Sequence, residues 1–168
     1  MLRATRSLIS ARNAYTKHPL SVVSVMRSRT FGNDQSYVGS HTSYQNAHRE
    51  LNKNSLCSIV IGWLVQPYDP KDGSTCILHH WWNQDHHGEY FDTTFSGNIK
   101  DEYVIEPTMT FLFNPRENYL EKPQCASLIY RNDRFIAFHE TEDGSINFRE
   151  LKSLSLREIR IRNDKLKL

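Results

Sequence analysis

The longest apolar run of the chain, Cys57 to Val65, reads C-S-I-V-I-G-W-L-V. It is rich in β-branched residues and interrupted only by small ones, the pattern of a central strand buried on both faces. Gln66–Thr75, with Pro67, Pro70 and Gly73, reads as a loop. Ile77–Trp82 and Glu89–Thr94 then read as two strands around the turn Asp85-His86-His87-Gly88. Tyr103–Phe113 predicts one or two further strands, Ala126–Tyr130 another and Arg134–His139 another, with Asp143-Gly144 marking a tight turn.

Helical patterning comes earlier. Leu2, Ala4, Leu8 and Ile9 form one apolar face of a short helix with Arg3, Arg6 and Arg12 on another, and Pro19 ends it. Ser21–Met26 suits a short strand or a continuation of that helix, and Phe31–Ser40, rich in Gly, Asn, Asp and Ser, reads as a loop. Thr42-Ser43-Tyr44-Gln45 fits a capping box, with Thr42 at the N-cap, opening a helix that runs to about Asn52. Near the end, L-S-L-R-E-I-R-I-R from Leu154 fits either an amphipathic helix or a bulged strand. The pattern is α+β, with an N-terminal helix packed on an antiparallel sheet.

Charge divides this pattern into three blocks. Residues 1–33 carry six basic residues and no acid (+6), residues 34–148 carry −8, and residues 149–168 carry +4, which sum to the formal +2 of the whole chain. With 168 residues the expectation is a basic N-terminal extension (1–33), one α+β domain (34–150) and a basic C-terminal segment (151–168) packed on or extending that domain. The acidic middle argues against a nucleic-acid partner. No apolar run approaches the ~20 residues of a membrane span. Three cysteines, Cys57, Cys76 and Cys125, form neither a disulfide scaffold nor a C-x-x-C zinc site, so the reducing cytoplasm is the expected compartment. The Arg- and Ser-rich, acid-free opening also suits a mitochondrial transit peptide. With no phosphate loop and no dinucleotide fingerprint, no cofactor is expected.

Candidate chemistry concentrates in the segment His79 to Thr94. If His86-His87-Gly88 is a three-residue loop with Gly88 left-handed, Asp85 pairs with Glu89 and Trp82 with Asp92. His80, Trp82, Asp92 and Thr94 then share one face, with His80 and Asp92 diagonal neighbours within side-chain reach. A histidine oriented by an aspartate is two thirds of a nucleophile-activating system. The remaining third would be a nucleophile at a helix start, where backbone N–H groups favour developing negative charge, and Ser43 stands there.

Ser43-Tyr44-Gln45-Asn46-Ala47, Ile61-Gly62-Trp63-Leu64-Val65, His80-Trp81-Trp82 through Gly88, and Phe91-Asp92-Thr93-Thr94 together resemble a group of small phage and bacterial proteins. Their pattern is approximately C-[YF]-x-N-A, a G-[WY] strand, H-x-W, a D-x-D-G-type turn and a D-x-T strand. The resemblance covers residues 43–94 and implies a papain-like or transglutaminase-like fold with a Cys-His-Asp site. Ser43 stands where that pattern has the cysteine, and a serine hydroxyl is a much weaker nucleophile without a strongly activating base. Cys57, close by in sequence, falls in a buried strand and reads as a small hydrophobe.

Two other constellations compete. His79, His80, His86 and His87 could bind a metal, but adjacent strand residues point to opposite faces, so no metal is expected. His41-Thr42-Ser43 and His139-Glu140-Thr141 resemble the paired H-x-[ST] signature of 2H phosphoesterases, although Glu142-Asp143 beside the second would repel a phosphate. Two functions follow as expectations. One is a hydrolase or acyltransferase on amide-type bonds, or an inactive relative of one, with Ser43, His80 and Asp92 as its site. The other is a non-enzymatic protein that binds a protein partner, as a phage factor in the host cytoplasm or as a subunit of an organellar complex.

Overall fold

The computed structural model describes residues 1–27, 42–69, 71–94, 100–112, 127–140 and 144–159. In chain order its elements are helix α1 (Arg3–Asn13), strands β1 (Ser21–Val23) and β2 (Val25–Arg27), helix α2 (Thr42–Lys53), and strands β3 (Ser58–Asp69), β4 (Ser74–Gln84), β5 (Tyr90–Asp92) and β6 (Glu102–Ile105). Helix α3 (Pro107–Leu112), strands β7 (Ser127–Arg131), β8 (Arg134–Glu140) and β9 (Ile146–Glu150), and helix α4 (Leu156–Ile159) complete them. The fold is α+β, and every described strand pair except β2 with β5 is antiparallel.

The β3–β4 hairpin is the spine, paired from Ser58 opposite Gln84 to Asp69 opposite Ser74. On its far side β3 pairs with β6 (Gly62 opposite Ile105), and β6 pairs with β1. On its own far side β4 pairs with β7 near its start and with β5 near its end. Strand β5 then pairs with β2, and only Ser24 separates β2 from β1. The neighbours therefore run in a ring, β1–β6–β3–β4–β5–β2, and the curled sheet closes into a small barrel. Strands β7, β8 and β9 continue the sheet from β4.

Strand alternation gives this barrel two apolar surfaces. Inside, Val60, Leu64, Trp82 and Tyr103 pack with Val23, Val25, Leu78, Tyr90 and Ile105. Outside, Ile59, Ile61, Trp63, Val65, Ile77, Trp81 and Val104 form the larger core together with Ala4 and Leu8 of α1, Tyr44 and Ala47 of α2, and Met109 of α3. β3 is buried on both faces, which is the physical reason its sequence is apolar without alternation. Leu151, Leu154 and Ile159 bring the C-terminal segment onto the same outer core.

Three elements differ from the expected ones. Gln66–Thr75 is not a loop throughout: β3 runs on to Asp69 and β4 begins at Ser74, leaving a short turn with a bulge between Pro67 and Asp69. Pro67 is accommodated because the pairing of β6 with β3 ends at Val65, so its missing N–H interrupts no ladder on that side. Tyr103–Phe113 is one short strand and then a helix, since Pro107 sits at the first helical position, where a proline needs no N–H. The basic opening, set apart by its charge, contributes α1, β1 and β2 to the barrel and core, with Ala4 and Leu8 fully buried. Phe31–Ser40, His41, Cys125, Thr141 and Asp143 lie outside the described residues. Among the described residues, no helix is long and apolar enough to cross a membrane.

The basic opening is also tied to the barrel by a buried ion pair. Arg12 Nε donates to Glu106 Oε2 at 2.9 Å and Nη2 to Oε1 at 3.3 Å, while Nη1 is buried with no partner among the described residues. Burial pushes the Glu106 carboxyl up, and this outweighs the opposing pull of the Arg12 guanidinium. The pair therefore fixes where α1 docks rather than adding much net stability. Arg12→Met strands the Glu106 charge and should cost about 3–5 kcal/mol in urea unfolding. Arg12→Met combined with Glu106→Gln should recover most of that loss. Equal losses in the single and double variants would contradict this reading.

Candidate active site

The hairpin between β4 and β5 sets the site. Gly88 is left-handed (φ +85°), Asp85 N–H donates to Glu89 O at 3.0 Å, and Gly88 N–H to Asp85 O at 3.1 Å. The Asp85 carboxylate also accepts the His87 and Glu89 N–H groups, both at 2.9 Å. The three-residue loop gives the register anticipated from Gly88, with Asn83 opposite Phe91 and Gln84 opposite Tyr90. One residue further along, Trp82 and Asp92 come level, and both are directed into the barrel.

That register brings His80 and Asp92 together. His80 Nε2 lies 2.7 Å from Asp92 Oδ2, with both side chains almost fully buried. Asp92 has two further donors, the Tyr103 hydroxyl at 2.8 Å to Oδ2 and the Thr94 N–H at 2.7 Å to Oδ1. Burial pushes its carboxyl up, but the His80 charge, the His80 hydrogen bond and the two other donors outweigh burial and hold it below the ordinary range. An ionised carboxylate has no proton to give, so Nε2 is the donor and a neutral His80 is left with Nδ1 as its acceptor. Around the pair, the His80 ring stacks at 6.2 Å from Trp82, and Tyr103 meets both rings edge-on at 5.9 and 5.5 Å.

Gly62, opposite His80 in β3, makes room for the Trp82 ring. A Cβ there would lie 2.6 Å from Trp82 Cη2 and would collide with the Val104 carbonyl oxygen. Sequence reasoning placed Gly62 in a strand motif without this role. It also missed Tyr103, for which the sequence holds no signal, because β6 contacts β5 only across the barrel interior.

Ser43 lies at the start of α2 and is fully buried. α2 docks on the outer surface of β4, where Tyr44 meets Trp81 edge-on at 5.6 Å and the Ala47 carbonyl accepts from Asn83 Nδ2 at 3.0 Å. Alternation points His80 to the other side of β4 from Trp81 and Asn83. The His80 imidazole is hydrogen-bonded to Asp92 on that inner side. A link between the two sides does exist: Asn46, one turn after Ser43, donates to Thr94 Oγ1 at 3.3 Å, and Thr94 holds Asp92.

The remaining candidates are dispersed. His79 faces outward, 3.2 Å from Met109 Sδ and 4.2 Å from the Trp81 ring, while the His86 and His87 rings lie tilted against each other, 3.7 Å apart, in the exposed turn. Cys57 is buried, and burial first, then the Asp85 and Glu50 charges, pushes its thiol up. Burial likewise pushes Cys76 up to about 11, so neither thiol is activated. Comparisons of the chain with protein-family models, curated proteins and solved structures gave no match.

The carboxyl of Asp92 makes stability depend on pH with a definite sign. Its folded value lies below the unfolded one near ~3.9, so its contribution is complete above that value and is lost as pH falls through the folded one. The urea midpoint of the wild type should therefore fall as pH drops below about 4 and through the folded value. Asp92→Asn should be less stable at pH 7 but show a shallower fall. Parallel profiles would mean that Asp92 is not held ionised.

Proposed function

We propose that the protein is a hydrolase or acyltransferase acting on amide-type bonds, with Ser43 as nucleophile, His80 as general base and Asp92 orienting the imidazole. The observation that carries this reading is the buried, 2.7 Å His80–Asp92 bond, which leaves His80 Nδ1 as the proton acceptor. In the reaction, Ser43 Oγ attacks the acyl carbon while Nδ1 takes the hydroxyl proton. Backbone N–H groups at the start of α2 stabilise the oxyanion, and the departing amine takes the proton back from His80. Water or a second amine then releases the acyl group by the same steps in reverse. A papain-like or transglutaminase-like ancestry, suggested by the residue pattern of 43–94, fits this order of groups along the chain.

A second reading is favoured by the packing of α2. Ser43 is sealed, and its helix meets the outer surface of β4 while His80 points inward. On this reading the chain keeps the scaffold without the chemistry and binds a protein partner.

Ser43→Cys separates the two. For the catalytic reading, the new thiol should alkylate with iodoacetamide at least ~10-fold faster than in the Ser43→Cys/His80→Ala double variant, because a neighbouring base lowers the thiol's affinity for its proton. An inert thiol, or one equally reactive without His80, leaves the binding reading. A thiol that no probe reaches marks a hydroxyl that no substrate reaches.

A further inference from the structure

One buried polar group is bound into the site without a part in the chemistry assigned to Ser43, His80 and Asp92. Tyr103 stands on β6, separated from β5 in the sheet by β3 and β4, and it reaches Asp92 across the interior of the barrel. Its hydroxyl and the His80 imidazole converge on the same carboxylate oxygen, Oδ2, at 2.8 and 2.7 Å. The ring cannot turn away easily. It is 3% exposed and packed edge-on against both His80 and Trp82.

Two donors on one oxygen share its charge, so each weakens the other's bond. The Thr94 N–H fixes Oδ1 and Tyr103 fixes Oδ2, so the carboxylate is held at two points besides its bond to His80. We propose that Tyr103 is a positioning residue of this site: its hydroxyl fixes the Asp92 carboxylate and limits the charge that Asp92 presents to His80. This rests on the reading of His80–Asp92 as the base pair of the site, but it makes no use of Ser43. The groups around Asp92 are His80 of β4, Tyr103 of β6 and the Thr94 backbone, with Arg27 of β2 standing opposite it in register.

The test compares wild type with Tyr103→Phe, which keeps the ring and removes the hydroxyl, by NMR of the whole chain. With its competitor gone, the His80 Nε2–H proton should move downfield as its bond to Asp92 strengthens. The Asp92 carboxyl carbon should titrate higher, having lost a donor to its charged form. If Tyr103→Phe does not fold, replacing tyrosine with 3-fluorotyrosine supplies the opposite perturbation. The stronger donor should move the Nε2–H proton upfield. An Nε2–H signal that does not move, or moves the other way, in the variant that is measured overturns the proposal and leaves Tyr103 a packing residue. Neither readout involves position 43, so an inert Ser43→Cys thiol would sink the acyl-transfer reading and leave this one standing.

Discussion

The missing side chain at Gly62 is the constraint on which the interior of the barrel depends. His80 lies directly across the ladder from it, and the Trp82 ring occupies space that any larger residue would claim. With that space open, Trp82, Tyr103 and His80 pack as three mutually contacting rings, and the histidine is aimed at Asp92. Burying a carboxylate here is tolerable only because it meets donors on both oxygens, since an unpartnered charge in such surroundings would cost several kcal/mol. Packing and polar satisfaction thus specify the same arrangement.

The two surfaces of the barrel have different tasks. The outer one, with α1, α2 and α3 laid on it, supplies most of the buried apolar area. The inner one is smaller and holds the polar cluster. Asn46 and Thr94 bridge them, connecting the helix that carries Ser43 to the carboxylate that holds His80. Closure of the ring at Ser24 makes the basic N-terminal region part of this arrangement, with β1 and β2 forming opposite halves of the seam.

Local signals made much of this readable in advance. Gly88 and Asp85 determine the β4–β5 turn among themselves, and the turn in turn determines that His80 and Asp92 meet. Cys57–Val65 announced a strand buried on both sides. What could not be read depends on long-range contacts. That β1 and β2 pair with different strands, closing the barrel, is a matter of tertiary pairing that no local pattern encodes. Tyr103 approaches Asp92 only because of that closure. The charge of the opening segment did not reveal where it docks, because Arg12 meets its counter-charge in Glu106, far away in sequence, whereas the apolar face of α1 marked the side that packs. Pro107 looked compatible with a strand region and instead begins a helix, a position that depends on where β6 stops.

In the acyl-transfer chemistry proposed here, the buried His80–Asp92 pair serves a nucleophile at Ser43. The most direct measurement is intact-mass analysis after treatment with a fluorophosphonate, which phosphonylates an activated serine with loss of fluoride. A Ser43 activated by His80 should give a single adduct, mapped to Ser43 by peptide sequencing and lost in His80→Ala. An unmodified protein, or an adduct at another serine that persists without His80, would contradict it.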